Sequence, residues 1–255
     1  FFNIKIPKSN YKPNEDLGLQ KKMYDFNNKV SQFFSRCLLD EERNSKPMDY
    51  LKSRGFSRED IEGNSLGFAP DSWDSITSLL YKKKDASSVA LSLGLITKKE
   101  GQKSFYDFFR NRIIFPIKNR QGNILAFAGR TIDKDKVKYI NSKESEIFSK
   151  RRVLYGLNNF NKLNGKKPKY VFIVEGYTDV LMMNKYGLYN VVATMGTSLT
   201  LEHASEVKKI SNKVILCYDS DTAGIDSSFK NIEPLYQFGI EIFSLRLDSG
   251  LDPCS

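Results

Sequence analysis

Residues 213–226 read KVILCYDSDTAGID, a run of apolar and aromatic side chains at Val214, Ile215, Leu216 and Tyr218 that ends in two carboxylates, Asp219 and Asp221. The run has the length and composition of a buried strand, and the segment behind it reads as helix. Two like charges about 4 Å apart repel by about 1 kcal/mol in water and by several times that near a protein surface. A strand end that keeps both acids therefore needs a neutralising partner. The period-two geometry of a strand turns Asp219 and Asp221 to the same side, as joint ligands of one cation require. Taken singly, each has a plainer reading, since an Asp after a strand also starts turns and caps helices.

The same texture continues on both sides. Strands are expected at 170–175 (YVFIVE), 190–195 (NVVATM), 213–219 and 240–247 (IEIFSLRL), with helices at 177–187, about 200–210 and about 223–238. Strands spaced by helices of this length imply βαβ units and a parallel α/β sheet covered on both faces. Ligands of such sheets bind beyond the carboxyl ends of the strands. Glu175 ends the first strand and Asp252 follows the fourth. Asp179 lies one helical turn past Glu175, facing the same edge, or else simply complements a helix dipole. Acids from separate segments thus converge on one rim. The chain has one histidine, His203, and three cysteines, Cys37, Cys217 and Cys254, without a CxxC pair or zinc spacing. A zinc site is not expected. A hard cation on oxygen ligands, Mg²⁺ or Mn²⁺, suits the donor set. His203 is expected to be surface or partly buried scaffold, and Trp73 a packing anchor.

The formal net charge of +10 is concentrated: residues 98–170 hold 19 Lys and Arg against 6 Asp and Glu. Polyphosphates or a nucleic-acid backbone are natural partners of such a surface, the alternative being a solvated lysine-rich face. No apolar run approaches the roughly 18 residues of a membrane span, so no membrane partner is expected. The start, FFNIKIPKSNYKP, resembles neither a signal nor a transit peptide and reads as a linker. The cysteine usage fits a reducing, cytosolic setting.

Residues from about Leu17 to Leu95 read mostly as helix, with Met23, Phe26, Val30, Phe33, Phe34, Cys37 and Leu38 on one face at spacings of three and four. Gly55 is expected to stop a helix and Ser57 to cap the next. GFAPDSW (67–73) reads as a turn-rich loop, and 91–105 as helix end and loop. At Arg112 the texture changes: RIIFPIKNRQGNILAFAGRTI (112–132) has two apolar strands joined at NRQGN, the signature of a hairpin with glycine in the turn.

VEGYTDV, CYDSDTAG and GLDP together resemble the Toprim domain, whose pattern is a strand-end Glu followed by an Asp-x-Asp pair. YLKSRGFS, LGFAP, FFRNRIIFPIKNRQGNILAFAGR, KYINSKES and LYGL are similar to the catalytic core of bacterial DnaG-type primase, in the right order and over about residues 24–253. The resemblance implies a mixed α+β amino-terminal subdomain over 1–165 and a Toprim domain over 166–255 that stops before the family's helical carboxy-terminal piece. It implies a DNA-directed RNA polymerase that makes short primers on single-stranded DNA from ribonucleoside triphosphates, in the bacterial cytoplasm at the nucleoid. Glu175 corresponds to the Toprim glutamate, proposed for acid–base work or metal binding. Asp219 and Asp221 correspond to the metal pair, and Asp252 to a further acidic position. Lys138, Asn141, Arg130 and Lys150 match groups that meet nucleotide phosphates or template, and Arg110 and Arg112 match basic positions of the family core. Ser220 stands where the family usually has Gly, and Cys254 where a second acid of the third motif is expected. The family's zinc-binding module and helicase-binding region have no counterpart in these residues, so a helicase partner is expected through a region outside them. Another Toprim enzyme, such as a nuclease or topoisomerase, and a non-catalytic Toprim adaptor are the rival readings.

Overall fold

The computed structural model describes residues 13–40, 45–80, 84–98, 101, 104–133, 137–218 and 231–245. The chain opens with helix α1 (Pro13–Leu39), whose apolar face buries Met23, Val30, Phe34 and Leu38 as the spacing predicts. Helices α2 (Ser45–Ser53) and α3 (Arg58–Gly63) follow. Gly55 between them adopts φ +84, and Ser57 caps α3 by accepting from the Asp60 amide at 3.2 Å while Asp60 accepts from Ser57 N at 2.9 Å.

Strand β1 (Gly67–Ala69) falls in the segment expected to be a loop and pairs antiparallel with β4 (Arg112–Lys118). A three-residue strand has too few side chains to show a period, and only the neighbouring β4 edge makes it one. Gly67 also packs hard under α1, where a Cβ would lie 2.6 Å from Phe34 Cβ. Helices α4 (Thr77–Leu80) and α5 (Lys84–Ser92) lead to a small ribbon of β2 (Ile96–Lys98) and β3 (Phe105–Asp107), in place of the expected helix end and loop. Here the end of β3 is anchored from outside: the Asp107 carboxylate accepts from the amides of Ile76 and Thr77 and from the Thr77 hydroxyl at 2.7–2.9 Å.

The expected hairpin is formed by β4 and β5 (Ile124–Thr131), with Gly122 at φ +90 in its turn. Strand β6 (Tyr139–Asn141) completes a sheet of order β1-β4-β5-β6. A 3₁₀ helix (Leu157–Leu163) then connects to the second sheet.

The second sheet is parallel, in the order β10-β9-β7-β8, from β7 (Val171–Val174), β8 (Val191–Ala193), β9 (Lys213–Leu216) and β10 (Glu241–Ser244). Helices α6 (Tyr177–Lys185) and α7 (Leu201–Ile210) and a helical stretch at 231–237 link its strands. Alternation along β7 sends Phe172 and Val174 into the core shared with the hairpin and α6, while Val171 and Ile173 pack with α7 and Leu235. The core is thus continuous across the proposed 165/166 boundary. Among the described residues no helix is long and apolar enough to cross a membrane.

His203 is fully buried, deeper than the expected surface or partly buried position. Its Nδ1 accepts from the Thr200 amide at 3.3 Å and its Nε2 lies 3.2 Å from the Val153 carbonyl, so the ring is held neutral with the proton on Nε2. Burial lowers its pKa below the usual 6.5. The unfolded chain therefore binds this proton more readily, and the contribution is complete above about pH 6.5 and lost as pH falls below it. Urea titrations should show stability falling towards pH 5 by up to about 1.4 kcal/mol per pH unit. His203→Gln should flatten that window; an unchanged slope in the variant would remove His203 as the cause.

Candidate functional site

A cleft of about 680 Å³ opens between the two sheets. The parallel sheet contributes Glu175, at the carboxyl end of β7, and the first turn of α6 with Asp179. The other wall contributes Arg130 from the end of β5, Lys138 and Asn141 from β6 and its approach, and Lys150. Six of the residues singled out in the sequence therefore meet in one cleft, although up to 49 positions separate them in the chain.

Each has a definite local role. Asp179 accepts from the Gly176 amide at 2.9 Å through Oδ2, capping α6 from within its first turn. Asn141 is engaged at both ends: its Oδ1 accepts from the Tyr177 hydroxyl at 2.6 Å and its Nδ2 donates to the Met195 carbonyl at 3.0 Å. It ties β6 to α6 and to the loop after β8. Arg130 donates to the Tyr139 hydroxyl at 2.8 Å and lies 4.8 Å from the Tyr50 ring centroid, so aromatic faces hold the guanidinium in place. Lys138 is exposed at the cleft rim. Burial pushes the Tyr177 phenol above its usual range, which keeps it a proton donor to Asn141.

Arg110 and Arg112 do not line the cleft. Arg112 is 7% exposed and its Nη1 donates to the Gly129 and Val137 carbonyls at 3.2 and 2.9 Å, buttressing the segment that carries Lys138. Burial, then the nearby Arg110 charge, lowers its pKa. Arg110 stacks on Trp73, its guanidinium carbon 3.9 Å from the ring centroid, and Tyr106 lies beside them at 5.4 Å from Trp73. Trp73 is 64% exposed: its ring packs at the surface against Arg110 and Tyr106, and its backbone carbonyl accepts from Asp107 N at 2.8 Å.

Arg54 is a cleft residue that sequence reasoning missed. It precedes the Gly55 helix stop, and the α2–α3 turn that carries it meets α6, where the Gly55 carbonyl accepts from Lys185 Nζ. Asp219, Asp221, Asp252 and Cys254 lie outside the described residues. Strand β9 pairs with β7 so that Leu216 opposes Ile173, and Cys217 N donates to the Ile173 carbonyl at 2.9 Å. Tyr218, the residue before Asp219, is therefore level with Glu175 on the adjacent strand, and both line a smaller cavity of about 220 Å³. Among the described residues no group of three or more potential metal ligands forms.

Residues 33–161 match the family of the DNA primase catalytic core, N-terminal domain, and residues 172–255 match the Toprim-like family. The chain belongs to the DnaG-type primase catalytic-core family. A DNA primase of Halalkalibacterium halodurans is 39% identical over 254 residues, covering 98% of this chain and 42% of that protein. One from Staphylococcus aureus is 38% identical over 231 residues, covering 91% and 38%. The chain thus spans about two fifths of the length of these primases. Among solved structures, a DNA primase domain from Pseudomonas aeruginosa superposes with a TM-score of 0.85 at 31% identity, covering 91% of this chain and 73% of that one. A DnaG primase catalytic domain bound to single-stranded DNA gives 0.84 at 32% identity, covering 93% and 74%. The cleft draws its lining from both matched segments.

Proposed function

We propose that this chain is the RNA-polymerising core of a primase, joining ribonucleotides into short primers on single-stranded DNA. The observation that carries the reading is the facing of Glu175, at a parallel-strand end, by Lys138, Lys150, Arg130 and Arg54 across one cleft. Its relative with bound single-stranded DNA supports the template assignment. In this reaction a primer 3′-hydroxyl attacks the α-phosphate of a nucleoside triphosphate and pyrophosphate leaves. Glu175, Asp219, Asp221 and Asp252 offer only oxygen donors, a set that would suit Mg²⁺ or Mn²⁺; such an ion would neutralise the triphosphate and activate the attacking oxygen. Lys138, Lys150 and Arg130 would hold phosphate charge across the cleft from Glu175. Tyr50 and Tyr139 orient Arg130, and Asn141 fixes the spacing between the basic strand and the acidic rim. The proposed division of labour is 1–165 for template and phosphate and 166–255 for metal. A replicative helicase would engage a part of the protein outside this chain, in the cytoplasm where primers are used.

The test is primer synthesis on single-stranded template with four ribonucleotides and Mg²⁺ or Mn²⁺. Short RNA products are expected. DNA cleavage or relaxation with no RNA made would instead favour another Toprim enzyme, and binding alone an adaptor.

Template binding supplies two further expectations. Affinity for a dT oligonucleotide should fall steeply with salt, and Lys138→Ala should reduce the slope of log K against log salt by about 1. The exposed Trp73 face, with Arg110 on it, is a stacking platform for an unpaired base. Trp73→Ala should weaken binding by about 1–2 kcal/mol with little change in salt slope. An equal loss through a changed slope would mean that Arg110's charge, and not the ring, makes the contact.

A further inference from the structure

A third, smaller cavity of about 60 Å³ lies where the turn end of the hairpin meets the connector into the parallel sheet. It is lined by Asn64, Lys118, Tyr155, Asn158, Asn159 and Lys162 among others, and shares no residue with the large cleft. None of its lining residues is acidic.

The lining is built to donate. A register shift between Ile117 and Lys118 interrupts the hairpin pairing, and such a bulge re-aims the side chain that follows it. The Lys118 ammonium is partly buried, and among the described residues its one hydrogen bond is to the Ser65 hydroxyl at 3.2 Å. Burial, and then the nearby Lys162 charge, lowers its pKa. Tyr155 is 5% exposed, its ring packed edge-on against Tyr177 at 4.9 Å. Asn158 donates one amide N–H to Asn159 at 3.0 Å and Asn64 one to the Asp60 carbonyl at 2.7 Å, which leaves each a second N–H. Two neighbouring ammoniums, with no acid among the lining residues, favour neither a cation nor an apolar guest. An oxyanion neutralises both lysines and accepts from the neutral donors at once. The volume admits a few waters or one tetrahedral group, and not a nucleobase with it.

We propose that this cavity is a phosphate-group site, separate from the catalytic cleft, which takes either inorganic phosphate or one backbone phosphate of a bound nucleic-acid strand. The assignment does not rest on primer synthesis, so the two can fail separately.

The test has two arms, both on the full 255-residue chain. In the first, thermal unfolding is followed as sodium phosphate replaces sodium chloride at constant ionic strength. A saturable rise in the midpoint is expected for the parent and for Lys138→Ala, whose lesion is in the other cleft. Lys118→Met should abolish it. Lys162→Met, at an exposed position that leaves folding intact, should weaken the apparent phosphate affinity by about tenfold. In the second arm the salt dependence of dT-oligonucleotide binding is measured. If a strand phosphate is the natural occupant, Lys118→Met and Lys162→Met each lower the slope by about 1. A phosphate effect that survives both substitutions, or no effect in either arm, overturns the proposal.

Discussion

Glu175→Gln should cut primer synthesis by about 100-fold or more while leaving the fold and template affinity intact. The substitution keeps the size of the side chain and removes one negative charge and one proton acceptor at the carboxyl end of β7. Losing a positioned acid–base group costs about 10²–10⁴-fold, and losing a metal ligand lies in the same range. Asp219→Ala should do at least as much if Asp219 and Asp221 share a cation as proposed. Removing the Glu175 charge makes the cleft more positive, so template binding should hold or tighten. Activity within a few-fold of the parent, in protein with an unchanged unfolding midpoint, would show that Glu175 stands beside the chemistry and takes no part in it.

Gly156→Ala should be the most damaging single methyl addition to the fold. Gly156 sits at φ +93, in the left-handed region that costs an L side chain about 1 kcal/mol or more. An added Cβ would also lie 2.6 Å from the Val191 carbonyl oxygen in β8 and 2.8 Å from Val180 Cγ1 in α6. The preceding residue, Tyr155, exchanges two 3.0 Å backbone hydrogen bonds with Ala193, so the connector cannot retreat without breaking them. Strain and overpacking together should cost about 3 kcal/mol or more in denaturant unfolding. Gly122→Ala supplies the contrast. It has φ +90 in the hairpin turn but nothing within 4 Å of the added carbon, so only the conformational part, about 1 kcal/mol, is expected. Equal costs for the two would remove the steric argument.

The elements that were legible in advance are those whose periodicity is long. Helix α1 shows its buried stripe over many turns, the hairpin announces itself through NRQGN, and the parallel sheet through four apolar runs separated by helical segments. Glu175 was legible because a charge at the end of an apolar run is visible in one dimension. Short elements were not. Strand β1 and the β2–β3 ribbon are three residues per strand, below the length at which alternation has meaning, and each exists because a neighbour supplies the hydrogen bonds.

The roles of individual side chains divide in the same way. Residue type marked Arg110, Arg112, Arg130, Lys138 and Lys150 alike as basic groups. Packing separated them, giving Arg112 to backbone carbonyls, Arg110 to an exposed tryptophan, and the other three to the cleft. Asn141 looked like a ligand contact and is held at both ends by Tyr177 and Met195. By itself the sequence determined the sheet types, the order of the segments, the family, and the strand end that carries Glu175, because local hydrophobic period and residue chemistry are written along the chain. Only the tertiary structure decided which cations face Glu175. That choice depends on how the hairpin sheet docks against α6, and docking is set by shape and burial between residues far apart in sequence.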